Sequence, residues 1–402
     1  MAVTFDEATK SYTNGVTTLE LKNGAYEIGT LEQLKLFRDA VNEGNSFQRQ
    51  TVKLTANIDL KNEEWTPIGT SKNAFRGTFD GDGNTVSNLY INQPSQSDVG
   101  FFGFTRDGEV KNLIIENADV TGYLDVGAVA GTPYTSKYTN ITLTGTVKVE
   151  GFAYVGGMFG KNAYANLTGL TIDAVAGSYV KAESENYRTY VGGVVGFMGE
   201  GNITVKDVTS NINVSGSTCD VGGIAGIAHY GNTFINVTCF AQEVVLVNAL
   251  DEGDHLEVGG IAGVWHNQAG NTVQMINCKV ENTELKSSLN GVEQDVSANT
   301  VTGKAYNAES ETSGSLLVGQ NVTIDDATGK YTGGEFTVSG PDAVDVLNGK
   351  LADGMQAYPE SDGSLVVDEA GYVAIVDDVR YKTLAEALEA AQAGGTVTLL
   401  DD

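Results

Sequence analysis

The sequence is poor in the residues on which several classes of function depend. Of its 402 residues, three are Cys, three His, two Trp and five Pro. Cys219, Cys239 and Cys278 show no C-x-x-C spacing. They make no disulfide framework and argue against a structural zinc site. Basic residues are scarce too: 24 Lys and Arg stand against 52 Asp and Glu, a formal net charge of −28. With no basic stripe, nucleic acid is excluded as a partner and an anionic lipid surface is disfavoured. No run of about 18 apolar residues occurs, so no segment is expected to insert into a membrane. The opening "MAVTFDEATK" has neither a basic n-region nor an apolar h-region, so no signal peptide is read in it. An export signal and an anchor are expected to lie outside this sequence.

Glycine, by contrast, is abundant, at 50 residues. It follows no collagen-like period, so it reads as many tight turns in an ordered chain. Hydrophobic residues make up 41%, which argues against disorder. The acidity fits a soluble, self-repelling protein in a salty or extracellular setting.

Many of the glycines belong to a repeat. "DVGFFG", "DVGAVAG", "YVGGMFG", "YVGGVVG", "DVGGIAG" and "EVGGIAG" begin at Asp98, Asp125, Tyr154, Tyr190, Asp220 and Glu257. The steps between their valines, Val99 to Val258, are 27, 29, 36, 30 and 37 residues. An alternating apolar phrase follows each one: Leu113/Ile115, Ile141/Leu143, Leu170/Ile172, Val208/Ser210, Val237/Cys239 and Ile276/Cys278. Leu89/Ile91 extends that column one repeat earlier.

Self-similarity at this period means a stacked architecture, and period-2 alternation means strands. No amphipathic helix fits between the repeats, which argues against leucine-rich horseshoes and (β/α) barrels. Two or three short strands per coil predict an all-β fold, a right-handed parallel β-helix rising ~4.8 Å per coil. Gly at its corners supplies positive φ and close backbone approach. Cys239 and Cys278 are expected to stack as buried, reduced thiols. The longer steps place loops at 176–188 and 245–255.

The ends read differently. "YEIGTLEQLKLFRDAVNEG" carries Leu31, Leu34, Phe37, Ala40 and Val41 at helical spacing, expected to cover the open edge of the first coil. Residues 1–60 are therefore a strand and helix cap, and 61–329 the β-helix, its last coils degenerate. A small α+β linker module, strands around a short helix, is expected over 330–370. Residues 371–402 read as strand, turn, helix and strand, with Leu384, Ala387, Leu388 and Ala391 on the helical stripe. They look like the start of a further module of a longer chain.

At "WTPIGTSKNAFRGTFDGDGNTVSNLYI" and the "VGGIAG" phrases, the chain resembles the GLUG-motif repeat proteins of bacterial surfaces. The resemblance covers roughly residues 26–285, and the C-terminal module is similar to segments of large surface proteins of gut anaerobes. What it implies is a secreted or wall-attached, adhesin-like right-handed β-helix. GLUG repeats also accompany the immunoglobulin-A1-cleaving metallopeptidases of streptococci, whose H-E-x-x-H zinc motif is missing here.

Each candidate site residue also has a place in the repeat. Asp98, Asp125 and Asp220 precede three Val-Gly phrases, and Tyr154, Tyr190 and Glu257 hold that place in the others. They are expected to be solvated turn residues outside the solenoid. "FDGDGNT" fails the calcium-loop pattern, with Thr85 and Ile91 where Gly and Glu belong, and reads as a tight turn. His229 and His266 are expected to stack in a surface ladder with no third ligand, so no metal or cofactor is expected. Just after each phrase come Phe104, Tyr134, Tyr164, Phe197, Tyr230 and Trp265. They are expected to leave the solenoid at one corner and line one edge. With His266 and Asn267 they would stack on sugar rings or anchor a protein partner, although Phe104 and Phe197 are expected to cover the corner.

The expected function is a non-enzymatic extracellular surface module that contacts host glycan, mucin or protein through its loops or this edge. A polysaccharide-active enzyme is the alternative, and carboxylates with Lys or Arg in one groove would favour it. A ligand-free spacer would expose no aromatic patch.

Overall fold

The computed structural model describes residues 2–183, 189–199, 201–229, 231–249, 257–267, 271–289, 292–296, 301–302, 305–307, 315–360, 362–377, 379–391 and 395–400. The chain forms two compact units, Met1–Asn267 with Cys278–Glu311, and Gln268–Asn277 with Thr312–Asp402.

The first unit is a parallel β-solenoid of about seven turns. The valine column is its axis of register. Val99 bridges Val126, and Val126, Val155, Val191, Val221 and Val258 pair in succession. They belong to a five-stranded sheet of Leu124–Gly127, Ala153–Gly156, Thr189–Gly192, Cys219–Gly222 and Val258–Gly259. A turn of two residues leads from each to a seven-stranded sheet that runs from Phe102–Arg106 through Ala130–Tyr134 and Phe159–Asn162 to Ala305–Asn307. The alternating phrases build the third and longest wall. Leu113, Ile141, Leu170, Val208 and Val237 pair in one column, and Ile115, Leu143, Ile172, Ser210 and Cys239 in the next. All are buried.

Two register expectations are corrected. Leu89 and Ile91 pair with Ala118 and Val120, whereas Ile115 pairs with Val86. The long strand Glu109–Thr121 bends, so one coil contributes two consecutive columns. Cys239 pairs with Val280, not Cys278, whose thiol instead approaches the Phe234 carbonyl at 3.8 Å. A constant count of 39 residues hid a local irregularity. Both are free, buried thiols.

The bends in the long wall are built from asparagine and aspartate. Asn112, Asn140, Asp207 and Asn236 stand at φ of 52°, 55°, 55° and 54°, with Gly169 between them at 67°. These residue types tolerate the left-handed region best. Their side chains join successive coils: Asn112 donates to Asp80 (3.0 Å), Asn140 to Asn112 (3.2 Å) and Asn236 to Asp207 (2.8 Å). "FDGDGNT" forms the expected turn between Thr78–Asp80 and Thr85–Asn92.

Helix α1 (Leu31–Asn42) covers the first coil as expected. Thr30 caps it by accepting from the Gln33 amide, and Leu31, Leu34, Leu36, Phe37, Ala40 and Val41 are buried. Phe37 meets Phe47, Phe75 and Phe79 with ring centroids 5.0–5.8 Å apart.

In the second unit, Ser315–Ile324 runs parallel to Thr272–Ile276 and antiparallel to Tyr331–Ser339. Helix α2 (Ala343–Lys350) and the hairpin Met355–Pro359/Leu365–Glu369 follow, giving strands around a short helix. The last residues form Ala374–Val376, Val379–Tyr381, helix α3 (Leu384–Ala390) and Thr398–Leu399, the expected order. Of the α3 stripe, Ala387 and the following Ala391 pack on the sheet, while Leu384 and Leu388 are exposed.

Candidate functional site

The positions before the Val-Gly phrases are not solvated turns. Asp98, Asp125 and Tyr154 take φ of 58°, 56° and 56°, the left-handed geometry of the asparagine bends. This folds the five-stranded sheet back so tightly that only hydrogen fits opposite. A Cβ on Gly131 would lie 2.4 Å from the Asp98 carbonyl carbon, and one on Gly160 would lie 2.1 Å from that of Asp125. The carboxylates are therefore drawn into a corner. Burial raises the Asp98 pKa, opposed by the Thr132 hydroxyl and by the Lys161 charge. Burial raises that of Asp125 further, to about 7, with the Asp98 charge adding to it and Lys161 opposing. Oδ1 of Asp125 is buried without a hydrogen-bond partner. Asp220 is fully buried and accepts from the Glu257 amide at 2.9 Å.

Aromatic rings continue the corner. Tyr154 and Tyr190 stack at 5.9 Å with a 10° tilt, and Phe197 lies against both. The Lys161 ammonium sits 5.9 Å from the Tyr154 ring centre and 5.5 Å from that of Phe197. His229, buried rather than in a surface ladder, meets Phe197 at 5.0 Å.

The expected aromatic edge splits between columns. Phe104 pairs with Thr132, and Phe197 pairs with Lys161. Tyr134 pairs with Arg106 and bridges Ala163. Trp265 pairs with Ala228 and Ala305 and is only 8% exposed. Counting from the last Gly of each phrase mixed inward and outward positions, because strands alternate faces. Tyr134 and Tyr164 do come together, their centroids 5.9 Å apart in an edge-to-face pair, 36% and 50% exposed. The Arg106 guanidinium lies 5.1 Å from the Tyr134 ring and 5.5 Å from the Phe104 ring, itself buried. His266 and Asn267 lie on the strand Ala262–Asn267, and Tyr230 lies outside the described residues. Lys161 was missed by sequence reasoning. Its signal was a lone cation two residues after the Val-Gly-Gly-Met-Phe run, beside the Asp column.

Among the described residues there is no cluster of three or more His, Cys, Asp or Glu suited to a metal ion, and no helix is long and apolar enough to cross a membrane.

No family model matches the chain. A 174-residue stretch is 35% identical to halomucin of Haloquadratum walsbyi, covering 38% of this chain and 2% of halomucin. Another, of 118 residues, is 33% identical to a protein of Evansella cellulosilytica provisionally described as a Gly-rich membrane protein, covering 28% of this chain and 14% of that one. The chain thus spans a small fraction of the curated relatives it matches. Among solved structures, a Bacteroides ovatus protein provisionally described as an immunoglobulin A1 protease aligns with a TM-score of 0.48 and 19% identity, over 71% of this chain and 85% of that one.

Proposed function

We propose that this chain is a module of an extracellular, cell-surface protein of the GLUG-repeat type, and that it binds host glycan, mucin or protein without turning it over. The observation that carries the reading is the exposed Tyr134–Tyr164 pair beside Arg106. Rings exposed on a rigid strand scaffold cost little entropy to immobilise and suit sugar faces or an interface anchor. The likeness of two stretches to halomucin and to a Gly-rich membrane protein supports a surface location. The experiment is binding of the purified chain to a glycan array with intact mucin included. Saturable binding that is lost in Tyr134→Ala and Tyr164→Ala supports the reading. Binding that is unchanged in both variants sinks the aromatic edge. Trp265→Ala is a poor probe, because that ring is packed away.

A second reading, a polysaccharide-active enzyme, is favoured by one observation: Asp98 and Asp125 lie within electrostatic reach of Lys161. A pair of neighbouring carboxyl groups supplies the acid and nucleophile of glycoside hydrolysis. Reducing ends released in the same wells, and lost in Asp98→Asn, would replace the binding-only reading.

A further inference from the structure

The carboxylate corner and the tyrosine pair are joined by contacts. Tyr164 meets Tyr134, and Tyr134 stacks on Phe104 at 6.3 Å. Phe104 pairs in register with Thr132, whose hydroxyl serves Asp98. Asp98 and Asp125 stand on consecutive coils in register, with Val99 bridging Val126 and donating its amide to the Asp125 carbonyl at 3.0 Å, and Lys161 joins them to the rings of Tyr154 and Phe197. Asp98, Asp125, Lys161, Tyr154 and Arg106 are all partly exposed, while the linking Phe104 and Thr132 are buried.

We infer that Asp98, Asp125 and Lys161, with Tyr134 and Tyr164 beside them, form one binding face for an uncharged, hydroxyl-rich glycan. This rests on the surface-binding reading above and goes further by naming the polar centre and the charge class of the ligand.

Three properties point to a neutral sugar. The first is acceptor capacity. Asp98 and Asp125 each keep part of their surface exposed at the corner. Carboxylates that accept from neighbouring hydroxyls, with an ammonium that donates, match a sugar edge. The second is that the cations are already engaged. Arg76 is paired to Asp107 at 2.6 Å, Arg106 lies over the Phe104 and Tyr134 rings, and Lys161 lies over those of Tyr154 and Phe197 beside the two aspartates. A sialylated or sulfated chain has to compete with these contacts for a cation. The third is the field of the whole chain. At −28 it repels polyanions on approach. The tyrosines supply the apolar platform that the CH faces of a sugar ring need.

The test uses the whole chain and oligosaccharides of galactose and N-acetylhexosamine, each with its sialylated and sulfated counterpart, titrated by calorimetry. We expect the neutral member of each pair to bind about tenfold tighter or more. Lys161→Met and Asp98→Asn are each expected to lower that affinity about tenfold, with the melting transition retained as the check on folding. Tighter binding of the charged member overturns the inference. So does unchanged affinity in Lys161→Met and Asp98→Asn when Tyr164→Ala abolishes binding, an outcome that leaves the aromatic edge standing alone. No saturable binding by any sugar sinks the glycan arm of the surface reading, and this inference with it.

Discussion

The solenoid turns at two kinds of corner that share one backbone geometry. At the bends of the long wall, Asn112, Asn140, Asp207 and Asn236 hold φ near that of Asp98, Asp125 and Tyr154 at the other corner. The chemistry differs. The asparagines pass hydrogen bonds from coil to coil, so each side chain works for the stack. The aspartates are drawn in beside each other and one oxygen has no partner. Backbone strain at the asparagines is matched by local bonding, whereas at the aspartates it stands alongside an unmet polar group and is held by the packing around it.

The sharpest way to break the contrast is to block the close approach that creates the carboxylate corner. Gly160→Ala puts a methyl group into the Asp125 main chain, and backbone cannot step aside cheaply. We expect a loss of at least about 3 kcal/mol in urea unfolding. Asn112→Ala attacks the other corner. It removes the donor to Asp80 and the acceptor for Asn140 and leaves alanine in the left-handed region. About 2–3 kcal/mol should be lost, by the same measurement.

Asp125→Asn should act in the opposite direction. The groups facing this carboxyl are Asp98, Lys161 and Tyr154. Its pKa is about 7 in the fold against an ordinary 3.8, so between these values the folded chain holds a proton that the unfolded chain has released. Stability contributed by this group therefore falls as pH rises from about 4 to 7 and levels off above that. Asparagine carries no charge and suits the left-handed backbone. We expect Asp125→Asn to gain about 2 kcal/mol at pH 8 and almost nothing at pH 4, read as the melting temperature across that range. A variant destabilised equally at both pH values would show that the carboxylate is part of the scaffold after all.

Much of the fold was legible because a solenoid repeats its instructions. The valine column and the alternating apolar pairs named the walls, since stacked strands need equivalent residues at equivalent places. The helix over the first coil was legible from five apolar positions at helical spacing. The asparagine bends were not, although "KNL", "TNI", "KDV" and "INV" recur along the chain. Attention to glycine as the turning residue concealed other types that reach the same φ. The candidate site was half legible. The exposure of Tyr134 and Tyr164 follows from their position, but a surface place for Trp265 does not hold, because counting from a glycine ignores which face the strand presents. Asp98 and Asp125 were read as solvated, because nothing in a linear pattern tells that Gly131 and Gly160 let another coil close over them.

The unbroken pairing of Val126, Val155, Val191, Val221 and Val258 has a further consequence. The steps between these residues range from 29 to 37, yet the pitch of the stack does not register the difference. Such a chain keeps two kinds of length apart. Residues inserted within a coil change its girth, whereas whole coils change its height in fixed increments. A site made by side chains of consecutive coils, as Asp98 and Asp125 are, then has an address written in coils. Lengthening a loop leaves that address intact, and removing one coil erases it.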